Sequence, residues 1–336
     1  MMKRKKNKIW LAAAGVIMMA FGLAGCGGEK EKGKPEVHIG YFYNITHAQA
    51  LYMKSQGILE KEWGEEVSVK WSAFHAGPAE VEALFSGDID IGYIGPVPAV
   101  SANVKSQGDV SVIAGAACAG AELVRAPGAD ITSVADLDGK TVAVPQIGNT
   151  QHLCLLKLLS ENGLAPVDEG GTVRVTAVEN ADVQNLMDQG NIDAAVVPEP
   201  WGSTLVKGGA EILLDYDALY QDGNYPVSVV VVRNDFMEEH PDLVETFLEQ
   251  HEEVTQVIAS DTDQAAQVIN EEINQSTGKS LEPDILRSAF EKMTVSAEVS
   301  EKALREFAQI SLEQGFIGAL PEDSLVITGD VKKGEE

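Results

Sequence analysis

The sequence predicts an α/β protein of two similar lobes, each built on a mostly parallel sheet. Three observations predict this. The chain has 336 residues, more than one ordinary domain holds and a fit for two. Short apolar runs alternate with helix-like segments, which is the grammar of βαβ units. One phrase also nearly recurs: Leu84-Phe85-Ser86-Gly87-Asp88-Ile89-Asp90-Ile91-Gly92-Tyr93-Ile94-Gly95-Pro96 stands beside Met187-Asp188-Gln189-Gly190-Asn191-Ile192-Asp193-Ala194-Ala195-Val196-Val197-Pro198-Glu199. In both, a helix ends at a glycine, an Ile-Asp pair feeds a buried strand, and a proline opens the next helix.

Composition narrows the function. With 44% apolar and 23% charged residues the chain is an ordinary globular protein, not a disordered or coiled-coil one. A net charge of −27, from 25 basic against 52 acidic residues, excludes general nucleic-acid binding. Three cysteines are too few for a disulfide scaffold or a Cys-rich zinc module.

The first residues read as a targeting device. Lys3, Arg4, Lys5, Lys6 and Lys8 precede an apolar stretch over residues 9–21, which is short for a membrane span. Leu23-Ala24-Gly25-Cys26 then resembles the lipobox of bacterial lipoproteins. The resemblance implies a signal peptide over 1–25, a lipid on the Cys26 thiol and a polar tether over 26–35. Loss of five basic residues takes the charge from −27 to −32. A surface this acidic is repelled by anionic lipids, so acyl chains rather than charge must hold it at the membrane. Cys118 and Cys154 remain, and two free thiols are expected.

Strands are expected at 37–43, 67–71, 89–94 and 110–115. Between them lie helices at 48–56, ended by Gly57, at 78–86, ended by Gly87, and after Pro96 or Pro98. The rhythm restarts with strands at 141–144, 173–177, 192–197 and 211–214, and helices at 150–162, 182–189 and after Pro200. A strand at 227–232 follows. The tail, with helical patterns at 241–259, 265–273, 284–293 and 300–314, reads as helices packed back on the first lobe.

Four segments fall where strands hand over to helices: residues 40–48 (GYFYNITHA), 90–98 (DIGYIGPVP), 144–152 (VPQIGNTQH) and 197–202 (VPEPWG). Through them the chain resembles the substrate-binding lipoproteins of ABC importers, in the group of aliphatic-sulfonate, taurine and nitrate binders. That resemblance implies a type II periplasmic-binding-protein-like fold with two chain crossings, near 116–121 and 222–227. Lobe one would be 36–118 plus 226–325, and lobe two 119–225. It implies a small anionic solute held between the lobes, an ABC permease as partner, an extracytoplasmic monomer on a lipid anchor, and neither enzymatic activity nor a cofactor.

In open α/β sheets ligands sit beyond the strand carboxyl ends. The candidate binding residues are therefore Tyr43, Asn44, Thr46, His47, Gly95, Pro96, Gly148, Asn149, Thr150, Gln151, His152, Glu199 and Trp201. Helix N-termini there offer free N–H groups and a favourable dipole. Arg4, Arg125, Arg174, Arg233, Arg287 and Arg305 all lie outside these segments. Neutral donors are thus expected to bind the anion, which avoids the desolvation cost of a buried counter-charge. Phe42 and Tyr93 are expected in the core and Trp201 on the cleft wall. His47, His75 and His152 are weighed against a metal site; they come from separate loops without a close-spaced pair, and no metal is expected. Glu199 stands at a helix start, where a carboxylate favours the dipole but opposes an anion. The other functions considered are a pyrimidine, nitrate or metal binder of the same fold, a ligand sensor, and an enzyme. For the last, no Ser/His/Asp order or Gly-rich nucleotide loop is present.

Overall fold

A computed structural model describes residues 34–328. The expected leader, its Cys26 and all but the end of the tether lie outside the described residues.

The chain begins with β1 (Glu36–Phe42), α1 (Ala48–Gln56), α2 (Ile58–Trp63), β2 (Ser68–Phe74), α3 (Gly77–Ser86), β3 (Ile91–Ile94), α4 (Pro96–Lys105) and β4 (Val110–Ala119). A second series follows: β5 (Ala121–Arg125), β6 (Thr141–Val144), α5 (Thr150–Glu161), β7 (Arg174–Ala177), α6 (Val183–Asp188), β8 (Ala194–Pro198), α7 (Trp201–Lys207), β9 (Glu211–Leu214) and α8 (Tyr216–Leu219). The remainder is β10 (Pro226–Arg233), α9 (Asn234–Glu239), α10 (Pro241–Ser260), α11 (Thr262–Thr277), α12 (Pro283–Glu291), β11 (Met293–Val295) and α13 (Glu301–Glu313). The proline-led starts of α3 and α4 suit a position whose N–H has no helical partner. Gly57 and Gly87 end α1 and α3 in the left-handed region, at φ 57° and 76°, where a side chain would be strained.

Two sheets result. One has the order β11-β4-β10-β3-β1-β2, the other β9-β5-β8-β6-β7. Leaving out β11, the orders correspond strand for strand. In the first sheet β1 to β4 run together and β10 and β11 run against them. In the second, β6 to β9 run together against β5. The sheets are thus mostly parallel by direction, and a reversed strand, β10 or β5, sits in the middle of each.

The recurring phrase has a physical reason. Asp90 Oδ2 accepts from the His38 N–H at 2.9 Å, while Asp90 N–H donates to His38 O at 2.8 Å. Asp193 Oδ2 accepts from the Thr141 N–H at 2.8 Å, while Asp193 N–H donates to Thr141 O at 2.9 Å. Each aspartate ties its strand to the neighbouring parallel strand of its own sheet, β1 or β6. Between them the strands are apolar on both faces. Val229 to Val232 of β10 are buried to within 1%, each side chain contributing about 1.5–3 kcal/mol of transfer free energy.

The chain passes between the sheets twice. Ala119 and Gly120, at φ 60° and 71°, separate β4 from β5. The return runs through Tyr225 into β10. The two passages meet where Ala119 N–H donates to Tyr225 O at 2.9 Å.

The tail differs in part from the sequence reading. Helices α10 and α11 pack on α1, and α13 packs on α4, all on the first lobe. Helix α12 instead packs on α7, and β11 adds an edge strand to β4 where only helix was expected. Polar contacts cross at this junction beside the buried Ile285, Leu286 and Ala289 of α12. Lys207 on α7 pairs with Asp284 and, at 3.3 Å, with Glu282, while Ser288 and Lys292 reach into the second lobe.

One buried acid stands out in α3. Glu80 is fully buried, and neither carboxyl oxygen has a partner among the described residues. It lies over Gly40 and Gly92, paired across β1 and β3; a methyl group added at Gly92 would meet its Oε1 at 2.5 Å. The two glycines leave the space that the carboxyl fills.

Candidate functional site

Strand carboxyl ends from both sheets face one hollow. From the first lobe it is lined by Phe42, Asn44, Thr46, His47, His75, Ala76, Gly77, Gly95, Pro98 and Val227. The second lobe adds Pro145, Asn149, Thr150, Gln151, Asn180 and Pro198. Its empty volume is about 380 Å³, counting the part open to solvent. Helices α3, α4 and α5 begin at its edge. The first N–H groups of α5, on Thr150 and Gln151, have no acceptor among the described residues. None of the lining residues is a lysine, arginine, aspartate or glutamate.

Seven of the expected residues line the hollow: Asn44, Thr46, His47, Gly95, Asn149, Thr150 and Gln151. Tyr43, Pro96, Gly148, His152, Glu199 and Trp201 do not. Some of these act behind it. Trp201 Nε1–H donates across the lobes to Asn44 Oδ1 at 2.8 Å. His152 stacks on Phe316 with ring centres 5.2 Å apart, and its Nδ1 accepts from the Gly148 N–H at 3.1 Å. Asn149 caps α5, its Oδ1 accepting from the His152 N–H at 2.9 Å. Tyr93 is core, its hydroxyl bonded to His251 Nδ1 at 2.7 Å. Phe42, expected in the core, is buried there and also lines the hollow.

Burial holds His47 and His152 neutral. His47 is almost fully buried; its Nδ1 accepts from the Phe42 N–H at 3.1 Å, and its ring stacks on Phe42 at 4.3 Å. Burial pushes its pKa down to about 3. With Nδ1 an acceptor, Nε2 carries the proton and is a donor. Burial likewise lowers His152 to about 4. His75 sits exposed on the rim, its Nδ1 3.8 Å from Glu179. The three rings do not converge, and among the described residues no group of His, Cys, Asp or Glu is arranged to hold a metal ion. Cys118 and Cys154 are free thiols.

Glu199 does not face the hollow. Its Oε2 accepts from the Ser203 N–H at 3.1 Å and its Oε1 from the Ser203 hydroxyl at 2.9 Å, so it does cap its helix. It also pairs with Lys292 at 3.1 Å, and Lys292 holds Glu122 at 2.8 and 3.0 Å. Both carboxylates are fully buried. Burial, then the neighbouring Glu199 charge, raises Glu122 to about 8 despite the lysine. Burial opposes the charge on Lys292, but the two glutamates win and hold its pKa above the ordinary value. This cluster joins the second lobe to the β11 end of the tail. Sequence reading placed Glu199 but not its partner, 93 positions away. It also missed Asn180, which follows β7 as the other loops follow their strands.

Two like lobes that close neutral donors around a small hollow define the two-lobed periplasmic-binding-protein fold. The chain belongs to the NMT1-like family, whose model matches residues 30–271. It is 33% identical over 223 residues to a protein of Escherichia coli (strain K12) named as aliphatic sulfonates-binding, covering 66% of each chain. It is 32% identical over 210 residues to the taurine-binding periplasmic protein of the same organism, covering 62% of each. The matches thus span just under two thirds of these relatives. In structure it is similar to the alkanesulfonate-binding protein SsuA from Xanthomonas axonopodis pv. citri bound to MOPS. That match has a TM-score of 0.73 at 21% identity and covers 88% of this chain and 98% of the other.

Proposed function

We propose that this protein is an extracytoplasmic solute-binding lipoprotein of an ABC importer that captures a small organosulfonate or related anion between its lobes. The observation that carries this is the hollow itself: helix starts and uncharged donors surround it, and no carboxylate or cation lines it. Preformed dipoles stabilise an anion without the desolvation cost of a buried counter-charge. The names of the two E. coli relatives support the same ligand class. In this reading Asn44, Thr46, His47, Gly95, Asn149, Thr150 and Gln151 contact the ligand. Residues 36–118 with 226–325 form one lobe and 119–225 the other. Ligand contacts to both lobes favour the closed state, which docks on the permease. Cys26 carries the lipid, and the protein acts as a monomer without catalysing a reaction.

The test is a thermal-shift panel of alkanesulfonates, taurine, nitrate, sulfate and hydroxymethylpyrimidines. Alkanesulfonates are expected to raise Tm in a concentration-dependent way. Stabilisation by the pyrimidines alone would overturn the assignment. For the anchor, Cys26→Ser is expected to move the protein from the detergent phase to the aqueous phase.

A further inference from the structure

Most polar side chains around the hollow share a property that the ligand class alone does not require: the acceptor atom of each already receives a hydrogen bond, while at least one of its hydrogens stays free. Asn44 Oδ1 accepts from the Trp201 indole at 2.8 Å, leaving its amide hydrogens. His47 Nδ1 accepts from the Phe42 N–H, leaving Nε2–H. Thr150 Oγ1 accepts from the Val97 N–H at 3.4 Å, leaving its own O–H to donate. Asn149 Oδ1 is used by the His152 N–H, and Asn149 Nδ2 donates to Gln151 Oε1 at 3.1 Å, leaving the Gln151 amide hydrogens. The N–H groups of Thr150 and Gln151 add two more donors. Three lining side chains have no acceptor engaged in a hydrogen bond among the described residues: Thr46, Asn180 and, on the exposed rim, His75. A hydroxyl rotates, and a primary amide presents either end, so both can still offer a hydrogen.

We infer that the hollow reads the protonation state of its ligand. It accepts an oxyanion whose oxygens carry no proton, and it rejects one that brings an O–H to the same wall. The inference rests on the anion-binding reading above and sharpens it from small anions to those fully ionised at working pH. The physical reason is that an O–H facing an N–H leaves two donors without acceptors in a desolvated site. A sulfonate keeps no proton near neutrality, whereas an alkylphosphonate of the same shape keeps one. The wall is completed by closure. Asn44 and Trp201 belong to opposite lobes, as do Thr150 and Val97, so two of the five acceptors are filled only when the lobes meet.

The test is calorimetric titration of the full chain with ethanesulfonate and ethylphosphonate at about pH 5, below a second phosphoryl pKa of about 6, where the phosphonate keeps one proton. Ethanesulfonate is expected to bind at least about tenfold more tightly, the size of one mismatched hydrogen bond. Gln151→Glu retains an acceptor for Asn149 and turns the donor face into an acceptor. It should weaken the sulfonate and close or reverse the gap, whereas Gln151→Ala should weaken both ligands alike. Should Gln151→Glu not fold, Asn44→Asp makes the same exchange while keeping the Trp201 bond. Equal binding of both ligands by the unmodified protein would overturn this inference and leave anion capture standing. So would a gap that the acceptor substitutions do not change. Binding of neither ligand would overturn both.

Discussion

Replacing Glu80 should stabilise the protein, and by more as the pH rises. Burial holds this carboxyl well above its ordinary 4.5. In the folded chain it therefore keeps a proton that the unfolded chain releases above pH 4.5. Between these two pKa values the folded state binds more protons, so stability is full below about pH 4.5 and falls as the pH rises towards the folded-state value. While the pH lies between the two values, the slope approaches about 1.4 kcal/mol per pH unit. The two unpartnered oxygens add about 1–3 kcal/mol that does not depend on pH. Glu80→Gln removes the first contribution and keeps an unpartnered polar group; Glu80→Met removes both. Urea denaturation at pH 5, 6 and 7 would separate the two. Both variants should gain on the unmodified chain as the pH rises, by up to about 1.4 kcal/mol per pH unit, with the methionine variant ahead by a constant offset. A difference that stays flat with pH would refute the reasoning, because it would mean that the acid ionises in the fold or finds a partner.

Other outcomes follow from the same geometry. Lys292→Met leaves Glu122 and Glu199 buried without their cation and should destabilise by about 3–5 kcal/mol. Because Glu122 then protonates more readily, urea melts should show a smaller loss at pH 5.5 than at pH 8. Gly95→Ala would place a methyl group 2.6 Å from Thr150 Oγ1 across the lobes. It should lower ligand affinity about tenfold or more while leaving Tm of the ligand-free protein within a few degrees. Since His47 titrates only near pH 3, calorimetry of ethanesulfonate should give the same affinity from pH 5.5 to 8; a step near pH 6.5 would remove the neutral-donor assignment. Asn149→Ala should cost about 1 kcal/mol of stability through the lost helix cap, besides weakening binding.

The strand and helix order was legible because its signals are local. Gly87 and Gly190 stop helices, Pro96 starts one, and Ile89-Asp90 and Ile192-Asp193 mark strand entries whose carboxylates bond the neighbouring strand. The same signals placed Asn44, Asn149, Thr150 and Gln151 in βα loops, and strand polarity alone brings those loops to one hollow. What was not legible depends on contacts distant in sequence. Lys292 lies on a stretch that reads as ordinary amphipathic helix, and nothing in it names Glu122 or Glu199. On the mostly apolar α3, the spacing of Gly77, Glu80, Val81 and Leu84 puts Glu80 on the inward face, but nothing local says that a carboxyl is tolerated there; the hint is that Gly40 and Gly92 lack side chains at one level of adjacent strands. The place of Trp201 after Pro200 predicts a cleft wall, but its indole engages Asn44 and helps set which atoms that residue turns inward.

The central place of β10 carries a consequence for how the molecule is made. This strand separates β4 from β3, yet it is synthesised only after the whole of the second sheet. A chain emerging from its N-terminus therefore holds two unfinished pieces of the first sheet, and strands β5 to β9 can zip into a complete sheet before those pieces join. Polypeptide ending at residue 225 is expected to protect second-sheet amides from hydrogen exchange and leave β3 and β4 unprotected. In that order of assembly, β10 closes both the gap in the first sheet and the return passage at Tyr225, and only the edge strand β11 arrives later.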